Sequence, residues 1–181
     1  MARTSDYSSL AFIDEDGRSR IFPNAPRSAL NGLSKWAGLS ENLTSLAMPM
    51  TIHWHHIDIK FFRSLRRLDS LTLVLDAVDH FLGATNVLKD ADTLEMWSCP
   101  VLNTIKLTIF DPFDMISARE SVSPSRVKAR LVTAFLQIVL GFSSSHMLHR
   151  LLLDGVKLVP SDVERGEFLN DVVHEIVLSH V

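Results

Sequence analysis

The sequence predicts an α/β fold: an irregular solenoid of parallel strands backed by helices, with a hairpin and a helix capping its N-terminal end. Three observations predict it. A short pattern of apolar, two variable, apolar, one variable, apolar recurs five times along the chain. Segments that read as helix or loop separate the copies. The front of the chain carries a hairpin signal and no copy of the pattern. The cap is assigned to residues 1–38 and the repeats to 39–181.

The cap comes first. In "AFIDEDGRSRIF", Asp16-Gly17 lies between two short apolar runs, the arrangement that favours a tight hairpin turn. Pro26 then predicts the start of a helix through Leu30, Leu33 and Trp36. A stacked fold needs such a cap to shield its first open edge.

The five copies follow. They are "LTSLAM" (43–48), "LDSLTLVL" (68–75), "LNTIKLTI" (102–109), "LHRLLLDGV" (from 148) and "VHEIVLSHV" (from 173). Their starts are separated by 25, 34, 46 and 25 residues. In each, the alternating apolar pair points to one side of a strand, and the apolar residue three earlier fills the turn that leads into it. One such strand cannot bury that side alone. Stacking one strand per repeat, with a helix behind each, buries it continuously. Strands are therefore expected near 43–48, 68–75, 102–109, 148–154 and 173–179.

Helices are expected between them. Ile57, Phe61, Leu65 and Leu68 repeat at four, four and three, which places them on one helical face. Ser123-Pro124 is a start signal for a helix that runs apolar through Val127, Leu131, Phe135 and Ile138 and stops at Gly141. Pro160, Ser161 and Asp162 open a short acid-led helix with Val163 and Phe168 inward. Residues 111–125 read as a long loop.

Composition narrows the function. The 181 residues suffice for one domain with a real core, and 46% of them are hydrophobic. The formal charge is -3, with 10 basic and 10 acidic residues in the first 90 and 8 and 11 in the rest. No basic face or tail stands out, so a nucleic-acid partner is not expected. The start "MARTSDYSSLAF" has no secretory pattern, and the most apolar run, Leu131–Phe142, is shorter than a membrane span. A soluble protein of the cytoplasm or nucleus, with no membrane partner, is expected.

Candidate chemistry is sparse. "HWHHID" sets His53, His55 and His56 close together, but a helix aligns only His53 with His56 and a strand only His53 with His55. Zinc needs three or four convergent ligands, so no metal site is expected there, nor any cofactor. Cys99, the single cysteine, precedes a proline and lacks a base near in sequence; it reads as a small buried residue. No nucleophile elbow, phosphate-cradling glycine loop or dinucleotide fingerprint occurs, so no catalytic residues are assigned and an enzyme is not expected.

The repeated pattern resembles a leucine-rich repeat with long insertions, over roughly residues 39–181. The two 25-residue spacings fall within that family's ~20–29 range, whereas 34 and 46 exceed it. The closing Asn or Cys of a regular repeat is replaced by Asp76, Phe110, Gly155 and His180. The loose repeats and strands such as "CPVLNTIKL" are similar to the substrate-reading region of F-box leucine-rich repeat proteins, the divergent fungal ones above all. No "LPxE"-type F-box opening is visible. The resemblance implies the recognition arm of a ubiquitin ligase, reaching a ligase adaptor only if an F-box is supplied elsewhere. The residues beside the buried leucines are the expected protein-binding positions on a concave sheet face. They are Ser70, Thr72 and Val74; Thr104, Lys106 and Thr108; Arg150, Leu152 and Asp154; and Glu175, Val177 and Ser179. The alternative from another class is an α/β enzyme with dispersed catalytic residues; a third is a truncated chain with no independent role.

Overall fold

The computed structural model describes residues 7–14, 19–26, 41–49, 65–75, 101–109, 124–159 and 169–179. Nine strands are described: β1 (Tyr7–Asp14), β2 (Ser19–Pro26), β3 (Leu43–Pro49), β4 (Ser70–Val74), β5 (Thr104–Thr108), β6 (Ser125–Lys128), β7 (Leu148–Asp154), β8 (Val156–Val159) and β9 (Val173–Ser179). Seven of them form one sheet in the order β2-β1-β3-β4-β5-β7-β9, and β6 and β8 form a second, two-stranded sheet.

The large sheet is mostly parallel. β1 pairs antiparallel with both β2 and β3. From β3 onward, the neighbours β4, β5, β7 and β9 follow in chain order, every pair parallel. Parallel neighbours require the chain to travel back to the same end each time, and the long segments between the strands permit this. The molecule therefore belongs to the α/β class.

Register follows the apolar pattern. Leu46, Leu71, Ile105, Leu151 and Ile176 stand side by side across the five parallel strands, and so do Met48, Leu73, Leu107, Leu153 and Leu178. A shift of one residue in any strand would carry its whole apolar set to the opposite side. Behind these rows, Leu43, Leu65, Leu68, Leu102 and Leu148 fill the approaches to the strands, all nearly or fully buried. One apolar cluster joins them to Leu131, Phe135 and Val139. At about 25 cal/mol per Å² of apolar area removed from water, such burial is the main favourable term in the fold.

Helix α1 (Ala129–Ala134) continues into a π turn, Phe135–Val139. Leu131, Phe135 and Val139 recur every four residues and all turn inward. Gly141 follows with φ 73°, a left-handed value that a glycine takes without steric cost. A 3-10 turn, Leu169–Asp171, leads into β9.

Several expected elements differ. The helix expected from Pro124 begins at Ala129, because Ser125–Lys128 is strand β6, paired parallel with β8. Arg126 and Lys128 are exposed and Val127 is fully buried, an alternation of period two that overrides the helical spacing. Leu65–Leu68 is a turn, closed by the Leu68 amide donating to the Leu65 carbonyl at 3.3 Å, and not the end of a helix. Pro26 is the last residue of β2, not the first of a helix. The remaining residues of the expected helices at 26–36, 57–68 and 160–168, the Asp16-Gly17 turn and nearly all of the 111–125 loop lie outside the described residues, as do His53, His55, His56 and Cys99. Among the described residues, no helix is long and apolar enough to cross a membrane.

Candidate protein-binding face

The side of the sheet opposite the apolar rows is built by the same register. Three rows cross it. Ser45, Ser70, Thr104, Arg150 and Glu175 form the first; Ala47, Thr72, Lys106, Leu152 and Val177 the second; Pro49, Val74, Thr108, Asp154 and Ser179 the third. All twelve positions expected from the sequence therefore fall in three aligned rows of one sheet.

Their exposure divides them. Arg150, Glu175 and Ser179 are exposed, and Ser70, Thr72, Thr104, Lys106, Leu152 and Val177 are half-buried. Val74, Thr108 and Asp154, expected to face outward, are instead buried. The ladder runs on past the strand ends at this point: the Leu75 amide donates to the Thr108 carbonyl at 2.7 Å, and the Ile109 amide to the Asp154 carbonyl at 3.3 Å. The third row thus lies within the bonded part of the sheet, not at an open end. The Asp154 carboxylate is tied down from two sides. The Lys106 ammonium reaches its Oδ2 at 2.6 Å, and the Thr108 hydroxyl donates to the same oxygen at 3.5 Å. Pairing and hydrogen bonding are what make a carboxylate tolerable at 6% exposure.

On the first row, the Arg150 Nε–H donates to Glu175 Oε2 at 2.7 Å, with both side chains well exposed. A pair of this kind contributes little to stability, roughly 0–1 kcal/mol. Its larger effect is on the surface charge. The four charged residues of these three rows, Lys106, Arg150, Asp154 and Glu175, cancel in two internal pairs. Leu152 and Val177 are direct neighbours on the middle row, with Arg150–Glu175 on one side and Lys106–Asp154 on the other. An apolar centre inside a polar rim is the usual anatomy of a protein-binding surface.

A fourth row was not anticipated. At the entrance to the strands, the Asp69 amide donates to the Thr44 carbonyl, the Asn103 amide to the Asp69 carbonyl and the Arg150 amide to the Asn103 carbonyl. The Asn103 side-chain amide also donates to Asp69 Oδ1 at 2.8 Å. In line with them, the exposed rings of His149 and His174 meet edge to face at 6.3 Å. The signal was present in the sequence: Asp69, Asn103, His149 and His174 are separated by the same 34, 46 and 25 residues as the leucines. Among the described residues, no three His, Cys, Asp or Glu side chains gather as a metal ligand set.

Compared with protein-family models, with curated proteins and with solved structures, the chain matches none.

Proposed function

We propose that this chain is a protein-interaction module that binds a partner through the outer face of its parallel sheet. In this reading the five strands with their intervening segments are an irregular leucine-rich-repeat solenoid. The observation that carries it is the Leu152–Val177 patch, set on rigid neighbouring strands and rimmed by two ion pairs. A rigid sheet loses little entropy when a partner docks, and an apolar centre shielded by polar groups concentrates binding energy. The partner is a protein segment that offers an apolar side chain to this centre. No catalytic step belongs to this reading. The function that fits it is substrate recognition for a ubiquitin ligase in the cytoplasm or nucleus, with the adaptor-binding F-box contributed elsewhere.

Affinity capture from the native cell extract tests the proposal with three variants beside the wild type. Leu152→Glu places a charge in the apolar centre and is expected to weaken retention of a stoichiometric partner by at least about thirtyfold, the ~2 kcal/mol of a central interface residue. The double variant Lys106→Glu with Arg150→Glu breaks both ion pairs and is expected to lose the partner as well. The exchange Arg150→Glu with Glu175→Arg keeps an opposite pair and is expected to retain it. If Leu152→Glu retains the same proteins as the wild type, the outer face is not the binding surface.

A further inference from the structure

Ile176 and Leu178 on β9 break the rule that β3, β4, β5 and β7 obey. They belong to the two apolar rows on the core side, where Leu46, Leu71, Ile105 and Leu151, and Met48, Leu73, Leu107 and Leu153, are no more than 1% exposed. Ile176 is 36% exposed and Leu178 55%. The uncovered stripe continues into a groove of about 550 Å³, lined by Leu153, Val156, Leu158 and Pro124 along with these two residues. Among the described strands, β9 borders β7 alone and so forms one edge of the sheet.

The two edges of the sheet are not alike. β2, at the far side, contains Pro23 and Pro26, which cannot donate to a ladder; prolines of this kind blunt an edge against unwanted pairing. β9, "VHEIVLS", has no proline, and its single formal charge at neutral pH, Glu175, is already paired with Arg150. A partly apolar edge with no proline, whose one charge is already paired, is a template for strand addition.

We propose that β9 is a self-association edge, at which two copies of the chain join antiparallel about a twofold axis through Ile176. The strand matches itself. Centred there, all seven residues find partners: Ile176 faces Ile176, Glu175 faces Val177, His174 faces Leu178 and Val173 faces Ser179. The two exposed apolar stripes meet at Ile176, and no like charges stand directly opposite one another. Joining β9 to β2 head to tail would instead meet the prolines and build an open chain of copies. The twofold arrangement also sets both outer faces on the same side of one continuous sheet.

Sedimentation equilibrium of the full chain tests the proposal. The wild type is expected to shift with concentration from the 20.3 kDa chain towards twice that mass. Leu178→Lys and Ile176→Lys are expected to weaken the dimer at least ~tenfold while far-UV circular dichroism stays unchanged, since both positions are already open to water. Leu152→Glu, on the outer face, is expected to leave the dimer intact. A wild type that stays monomeric throughout, a dimer indifferent to both lysines, or an open series of larger species overturns the proposal. Should the lysine variants unfold, oxidation decides. On a Cys99→Ser background, Ile176→Cys faces its own copy at the ~4.5–5.5 Å Cα separation of directly opposed antiparallel residues and is expected to give a covalent dimer, whereas Leu178→Cys faces His174 and is not. Equal cross-linking by both, or by neither, contradicts the twofold register.

Discussion

Asp154 shows how one side chain can tie the sheet together from its outer side. It is nearly out of water, yet Lys106 on the neighbouring strand neutralises it and Thr108 donates to the same oxygen. The arrangement predicts a thermodynamic asymmetry. Lys106→Met leaves a buried carboxylate with its charge uncompensated and is expected to cost on the order of 1–3 kcal/mol, because the lysine side chain keeps about a third of its exposure. Adding Asp154→Leu to Lys106→Met removes the orphaned charge and is expected to recover most of that loss. Chemical denaturation of the two single variants and the double variant checks this. Additive costs would mean that the two groups do not act as a pair. Gly155, the next residue, has φ 66°, and that left-handed conformation lets the chain leave β7 and enter β8 in the second sheet after a single residue.

At the scale of elements, the parallel strands were legible because their pattern and their pairing obey the same arithmetic. The copies are spaced by 25, 34, 46 and 25 residues, and the paired residues, Ser45 with Ser70, Ser70 with Thr104, Thr104 with Arg150 and Arg150 with Glu175, are separated by those same intervals. The apolar triplet in each copy specifies which residues turn inward, so the outer rows follow by alternation. What was not legible has local causes. Ser125–Lys128 sits inside a helical spacing but takes its conformation from β8, a strand distant in sequence. Val74, Thr108 and Asp154 are buried where the ladder continues past the ends of β4 and β5, which alternation does not report. Of the apolar residues expected on the helix after Pro124, Leu131 lies in α1 and Phe135 in the π turn, both buried, whereas Val127 belongs to β6 and Ile138 is half-buried, Val139 taking the inward place. The packing of this helix carries a prediction: Phe135, fully buried in the common cluster, is expected to cost about 3–5 kcal/mol when cut to alanine. Thermal or denaturant unfolding of Phe135→Ala measures it. A loss below about 1 kcal/mol would mean that the helix is not seated on the sheet.

At the scale of the whole molecule, the two sides of one sheet differ in what they expose. The core side of β3, β4, β5 and β7 holds the chain together through two apolar rows, and among the described residues these rows open to water on β9. The outer side carries charges that cancel in pairs around an apolar centre, so binding there is expected to depend on shape and apolar contact far more than on salt. Whether the outer face binds a partner is read most directly by site-specific photo-cross-linking in the native cell extract. A photoreactive residue replaces Thr72 or Val177 on the outer face, or Arg130, exposed on α1, as the control. One protein is expected to cross-link from both 72 and 177, to be absent from 130 and to be lost when Leu152→Glu is added. The same product from position 130, or no product from either outer position, would contradict binding through the outer face.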